Sequence, residues 1–220
     1  MEKVICLVSG GIDSPLACAL ASKNFEIIPL HFCVYPYVSD ETFFTTIEIL
    51  KKLKDRLDVE KILIFPWSKI LRRISHAGGR YTCVLCRRGM LKAAEALCER
   101  EKCSAIVTGE SIGQKASQTL DNLAVTSFGI KFPIIRPLLT MDKLEIEREA
   151  RKIGIWSEKH AGCCTVVPRY PSTSAKTETV ERLFAKIGLE KEIENELGNV
   201  VEIRSFKDVE KFQNSLRKES

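Results

Sequence analysis

Short apolar runs alternate with longer stretches of three- and four-residue hydrophobic spacing along most of this chain. Residues 4–8 carry Val4, Ile5, Leu7 and Val8, and an Ala/Leu-rich run follows over residues 16–21. Residues 26–32, 61–65, 105–108 and 133–135 repeat the short buried-strand character. Between them, residues 40–58 place Phe43, Ile47, Leu50, Leu53 and Leu57 close to helical steps, with Asp40 as the candidate cap. Residues 66–80 read as a short helix and a loop, 83–101 as a long helix with Met90, Leu91, Ala94 and Leu97 inward, and 114–123 and 142–153 as further helices. Strands alternating with helices at this pitch predict an α/β fold: a doubly wound parallel sheet of about five strands with helices on both faces.

Past Ile155 the pattern changes. Gly162-Cys163-Cys164, followed by Pro168 and Pro171, describes an ordered loop rather than another strand–helix–strand unit. Residues 177–187 and 191–197 read as peripheral helices, 200–206 as an added strand and 208–220 as a charged end that frays. The expected organisation is one catalytic domain over residues 1–175 and a C-terminal helical extension over 176–220.

The first turn carries the chemistry. Val8-Ser9-Gly10-Gly11-Ile12-Asp13-Ser14-Pro15 joins the first strand to the first helix, the position where α/β folds place ligands. The paired glycines let backbone approach a ligand, Ser9 and Ser14 add hydroxyls, and the helix start offers free N–H groups, which together make an anion cradle. The spacing is neither the Walker type nor the dinucleotide type.

Composition narrows the class without naming a substrate. The chain has 220 residues, 45% hydrophobic, with 34 basic against 29 acidic side chains for a net charge of +5. That mild excess is compatible with a nucleic-acid partner and does not require one. No run approaches the roughly 18 apolar residues of a membrane span, and Glu2 and Lys3 do not fit a signal peptide, so a cytoplasmic protein is expected. In a reducing compartment the nine cysteines are more readily packing, catalytic or ligand residues than disulfides.

Ser9-Gly10-Gly11-Ile12-Asp13-Ser14 resembles the pyrophosphate-binding loop of the PP-loop ATPases, which split ATP between its α and β phosphates. A second signature, Val107-Thr108-Gly109-Glu110-Ser111-Ile112-Gly113-Gln114 continuing through Gln118 to Leu123, resembles the matching segment of the ThiI family of tRNA 4-thiouridine synthetases. Arg136-Pro137-Leu138, Met141-Asp142-Lys143-Leu144 and Cys163-Cys164-Thr165 match that family in order and spacing. The resemblance implies an ATP-dependent sulfurtransferase that adenylates a uridine of tRNA and replaces its oxygen with sulfur.

By that resemblance ATP is expected on Leu7, Val8, Ser9, Gly10, Gly11, Asp13, Ser14, His31, Phe32, Arg87, Gly109 and Gln118; Asp13 is also expected in catalysis, either facing Mg2+ or holding the loop's own geometry. Arg88 is an alternative to Arg87 as the phosphate fork. Cys163 is expected in catalysis as a persulfide-bearing thiol. Cys83-Val84-Leu85-Cys86 departs from the bacterial members, which lack the pair, and resembles archaeal variants and other Fe–S-dependent tRNA thiolases. Cys83, Cys86 and Cys163 would then ligate a [4Fe-4S] cluster, with Cys164 as an alternative third ligand. A redox pair, a zinc site and packing cysteines are the other readings of CxxC.

The partners implied are tRNA, held in part by a separate THUMP-type protein, and a sulfur donor, either sulfide or a cysteine desulfurase; a homodimer is compatible with the pattern. Lys69, Arg72, Arg73, Arg80, Arg87 and Arg88 form a candidate basic rim for phosphates. Cys6, Cys18, Cys33, Cys98 and Cys103 sit in apolar patterns and read as packing. Two other classes stay open: an adenylating enzyme for a small molecule or a sulfur-carrier protein in thiamine metabolism, and a nucleotide- or Fe–S-binding subunit that needs a partner.

Overall fold

The computed structural model describes residues 1–156 and 164–205, together with Asp208 and Phe212. Strand β1 (Lys3–Val8) leads into helix α1 (Asp13–Ala21), β2 (Glu26–Cys33), α2 (Asp40–Leu57), β3 (Ile62–Pro66) and α3 (Ser68–Ala77). A 3-10 turn at Gly79–Tyr81 feeds α4 (Thr82–Glu101), followed by β4 (Ala105–Val107), α5 (Leu120–Ser127), β5 (Ile134–Ile135) and α6 (Lys143–Ile153). The chain closes with α7 (Thr177–Ile187), α8 (Leu189–Leu197) and β6 (Val201–Ile203).

The sheet runs β5-β4-β1-β2-β3-β6. Five strands are parallel, and β6 adds a sixth, antiparallel to β3, where about five were expected. Through β6, the segment after residue 176 joins the same sheet, while Val180, Phe184, Leu189 and Ile193 of α7 and α8 join its core.

Strand periodicity explains the two cores. Along β1, Val4, Cys6 and Val8 point to the side covered by α1, α2 and α6, and Ile5 and Leu7 to the side covered by α3, α4, α7 and α8. Each buried Leu or Ile contributes roughly 2 kcal/mol, so the central strands form a rigid base for the loops at their carboxyl ends. Cys6, Cys18, Cys33, Cys98 and Cys103 are all buried in these layers.

Two local expectations are corrected. Residues 114–123 do not form one helix. They make an extended turn, a 3-10 turn at Ala116–Gln118, and then α5, because the Thr119 hydroxyl accepts from the Asn122 N–H and starts the helix there. Helix α2 begins at Asp40 as read, but its cap is Ser39, whose hydroxyl accepts from the Thr42 N–H at 3.2 Å. At α6 the expected aspartate does act, in a capping box between Asp142 and Glu145.

Candidate active site

Strand order reverses between β1 and β4, so the loops after them diverge and open a crevice at their carboxyl ends. The loop after β1 folds on itself. The Ser9 N–H donates to Ser14 Oγ at 2.8 Å, and the two hydroxyls lie 3.1 Å apart. No side chain caps α1, which leaves its first N–H groups available to an anion.

Gly109, just past β4, packs against this loop. A Cβ there would stand 2.5 Å from both the N and the Cα of Ser14, so only glycine allows the two turns to meet. This contact joins the two sequence signatures.

A cavity of about 120 Å³ occupies the junction, lined by Leu7, Val8, Ser9, Asp13, Ser14 and, across the sheet, His31 and Phe32. Arg87, Gly109 and Gln118 complete it from α4 and the β4 side. Of the residues expected around a nucleotide, Gly11 lines neither this cavity nor the one beside it, and Gly10 lines only the latter. Met90 and Lys115 also line the first cavity and were not singled out from the sequence. Met90 falls on the inward stripe of α4, where apolar spacing reads only as packing. A separate depression of about 380 Å³ lies at the amino end of the strands, between residues such as Glu26, Lys61 and Glu101. It lacks a helix start or glycine turn and is not where parallel sheets place ligands.

The charges around the cavity are fixed by burial. Glu110 has no exposed surface and takes Arg136 Nε at 2.8 Å, the Thr108 hydroxyl at 2.9 Å and an ion pair with Arg87 Nε at 3.2 Å. Burial pushes its carboxyl up, but Arg87 and Arg136 together with the Thr108 hydroxyl hold it below the usual range. Glu110 thereby holds Arg87 by its Nε side at the cavity wall.

Arg88 faces elsewhere. It is buried, donates to the Phe128 carbonyl at 2.6 Å and pairs with Glu181 of α7 at 2.5 Å, so Arg87 is the guanidinium the cavity receives. The basic rim is also corrected. Lys69 pairs with Glu196 and Arg73 with Glu192 on α8, so of the four exposed cations Lys69, Arg72, Arg73 and Arg80, two are engaged by α8.

His31 is buried with its Nδ1 3.0 Å from the Val8 carbonyl, so Nδ1 carries the proton and donates. Burial lowers its pKa and keeps the ring neutral. Asp13 pairs with Lys143 Nζ at 3.1 Å, a lysine that lies in a quoted motif but received no role there. Gln118 is buried with its side-chain oxygen unpartnered, an acceptor left for a ligand.

The thiols lie beside this cavity. Cys83 and Cys86, on the first turns of α4, line an adjoining cavity with Cys164. Trp67 Nε1 donates to Cys86 Sγ at 3.2 Å. Burial pushes the Cys86 thiol up to about 12 against the pull of that N–H, and the neighbouring Cys164 and Cys83 add to the rise. Cys163, expected in catalysis and as a ligand, lies outside the described residues. Among the described residues no group of three His, Cys, Asp or Glu is arranged to hold a metal ion, and the three thiols that share the cavity are soft donors of the kind iron and zinc take.

With this geometry in hand, residues 1–189 match the family described as thiamine biosynthesis protein (ThiI). A probable tRNA sulfurtransferase of Methanothermobacter thermautotrophicus is 39% identical over 197 residues, covering 87% of this chain and 51% of the relative. A probable tRNA sulfurtransferase of a Geobacillus species is 39% identical over 203 residues, covering 90% and 51%. The crystal structure of a 4-thiouridine synthetase in complex with RNA and ATP superposes with a TM-score of 0.81 at 28% identity, covering 92% of this chain and 55% of that one. The chain thus spans about half the length of the relatives it matches. No helix among the described residues is long and apolar enough to cross a membrane.

Proposed function

The chain belongs to the ThiI family, and on that premise we propose that it is the ATP-dependent catalytic unit of a tRNA sulfurtransferase making 4-thiouridine. The observation that carries the reading is the adjacency of two cavities, one on the Ser9–Ser14 loop and one on the thiols, with Ser9, His31, Phe32, Arg87, Met90 and Lys115 common to both. Relatives named tRNA sulfurtransferases and a 4-thiouridine synthetase holding RNA and ATP support the same substrates here.

ATP binds with its phosphates on the loop and the start of α1, the adenosine against residues 7–8 and 31–32, and Arg87 on the phosphates. Asp13 is the side chain available to Mg2+, which would screen the phosphate charge; Lys143 shares that work. The O4 of a uridine attacks the α-phosphorus, the bond to pyrophosphate breaks and N3 gives up its proton. Sulfur then adds at C4, and the C4–O bond breaks to release AMP. With hydrosulfide as donor this closes without redox change. With a persulfide, the donor's outer sulfur adds, and a second thiol frees the thione by forming a disulfide that an external thiol reduces.

Cys83, Cys86 and Cys163 are the residues proposed to hold a [4Fe-4S] cluster, whose open iron would bind sulfide; Cys164 is the alternative third ligand. Cys163 is otherwise the persulfide carrier. Residues 1–175 form the proposed catalytic unit and 176–220 its extension, in a cytoplasmic protein that takes tRNA with a THUMP-type partner.

The test is anaerobic: protein reconstituted with iron and sulfide, then ATP and tRNA. Pyrophosphate release that requires RNA, with 4-thiouridine in the digest, is expected; release of neither overturns the reading. Iron-free, colourless protein that still thiolates assigns the sulfur to a persulfide. The family's description as a thiamine biosynthesis protein supports a second acceptor, the C-terminal carboxylate of a sulfur-carrier protein. ATP–pyrophosphate exchange that survives ribonuclease and needs the carrier would select it.

A further inference from the structure

The cavity beside the nucleotide site measures about 270 Å³. Its far wall comes from segments in neither signature: Tyr35 and Val38 after β2, Phe43 on the first turn of α2, Leu71 on α3, and Val167. The Tyr35 and Phe43 rings lie 5.5 Å apart, tilted by 50°. Three of the lining threonine hydroxyls are already engaged, Thr46 donating to the Thr42 carbonyl at 2.9 Å, Thr82 to the Gly79 carbonyl at 2.8 Å, and Thr42 accepting from the Ser39 hydroxyl at 3.1 Å. This wall therefore offers mainly carbon and ring faces, and the same cavity is lined by Gly10 of the loop and by Cys83, Cys86 and Cys164.

We propose that this cavity seats the acceptor base: one pyrimidine ring turned out of an RNA chain, packed against Tyr35, Val38 and Phe43. The proposal rests on the reading above and locates its substrate. Three observations argue for this occupant. The volume lies just below the roughly 300–1,000 Å³ of cavities for drug-sized ligands, so one ring and its ribose edge fill it. Apolar and aromatic walls are what an unstacked base requires to offset the few kcal/mol lost on leaving its stack. The third observation concerns order of reaction. The base oxygen must first reach phosphorus at the loop, and the same carbon must then meet sulfur from the thiol side. A ring lying between Gly10 and the cysteines meets both without moving. A flexible peptide tail has no use for ring-faced walls.

Val38 lines this cavity and not the nucleotide cavity, so Val38→Trp fills one and spares the other. Val38→Phe is the milder filler, and ATP affinity with a thermal melt reports folding for both. With AMP saturating the nucleotide cavity, 4-thiouridine is added as the photoreactive probe, irradiated, and its crosslinks mapped by peptide mass. Labelling of Tyr35, Val38, Phe43 or Met90 is expected in the wild type, together with a loss of more than about tenfold in labelling and in RNA-dependent pyrophosphate release in Val38→Trp, with ATP affinity kept within about twofold. Val38→Phe should fall between. Labels outside the cavity, or full RNA-dependent release in both variants, overturn the proposal. Wild-type protein that binds ATP but releases no pyrophosphate with RNA fails the parent reading instead, a distinct result.

Discussion

The two cavities share a border and are built in opposite ways. The cavity proposed for the nucleotide takes most of its lining from two continuous signatures, Leu7 to Ser14 and Gly109 to Gln118, with His31, Phe32, Arg87 and Met90 added, and is locked by the Ser9–Ser14 hydrogen bond and by the buried Arg87–Glu110–Arg136 cluster. The thiol cavity adds to the shared residues side chains from separate segments, Val34 to Thr46, Leu71, Thr82 to Cys86, Ser117 and Cys164 to Val167, and its surface is mostly apolar. A polyanion needs fixed dipoles and charges; a flat ring that must enter and leave needs an apolar wall. Substitutions should therefore separate the two: changes on the polar side strike folding and ATP together, and changes on the apolar side strike the acceptor alone.

The largest effect belongs to Glu110. Glu110→Gln leaves Arg87 and Arg136 facing each other across a buried site, and breaking such a buried pair costs about 3–5 kcal/mol. Urea unfolding at neutral pH measures it. The Glu110 carboxyl is held below its unfolded value, so its contribution is complete above about pH 4.3 and is lost as pH falls through the folded pKa. The gap between wild type and variant should close on acidification. A variant as stable as wild type would show that Arg136, through its 2.6 Å bond to Ser127, holds the cluster without Glu110.

Next is Gly109→Val. Its side chain must displace Ser14 backbone, and a misplacement of about 1 Å in a positioning loop lowers activity by about a hundredfold. ATP affinity should fall on that scale, while Gly198→Ala, with nothing within 4 Å of its Cβ and an ordinary φ of −70°, should leave it unchanged. Ser14→Ala removes the hydroxyl that closes the loop onto the Ser9 N–H. One net hydrogen bond is worth about 1 kcal/mol, so ATP should bind roughly fivefold more weakly, and labelling of the thiol cavity by 4-thiouridine should not change.

What the sequence revealed follows the same division. Leu7 to Ser14 and Gly109 were legible as turns at the carboxyl ends of β1 and β4 because their register follows from hydrophobic runs alone, although Gly11 lines neither cavity. Arg87 and Arg88 could not be told apart, because one helical position separates a cavity wall from the contact with α5 and α7, and charge carries no direction. The cations of the basic rim looked free because their partners, Glu181, Glu192 and Glu196, lie about a hundred residues later on helices whose docking no local pattern encodes. Phe43 read only as part of a helix's apolar spacing and Tyr35 and Val38 carried no signal, since an apolar residue facing a cavity has the same spacing as one facing a neighbour. The expected helix at 114–123 failed because polar spacing there is helical, while Thr119 and Asn122 bind backbone more strongly in a turn.

The smallest effect tests one of the residues that line both cavities. His31 donates from Nδ1 to the Val8 carbonyl and is neutral because burial lowers its pKa. Its folded pKa lies below the unfolded value of about 6.5, so the unfolded chain takes up the proton first. The stability from a neutral His31 is therefore whole above about pH 6.5 and declines as pH falls toward the folded pKa. At pH 6 the loss from this one group is bounded at about 0.8 kcal/mol, by linkage to a single unfolded-state proton. His31→Phe removes the titration and should flatten stability between about pH 7.5 and 6 relative to wild type, in paired urea melts. Because the ring touches both cavities, His31→Phe should change ATP affinity and 4-thiouridine labelling together. If ATP affinity alone changes, the imidazole serves the nucleotide side, and the two cavities are coupled through the other residues they share, Ser9, Phe32, Arg87, Met90 and Lys115.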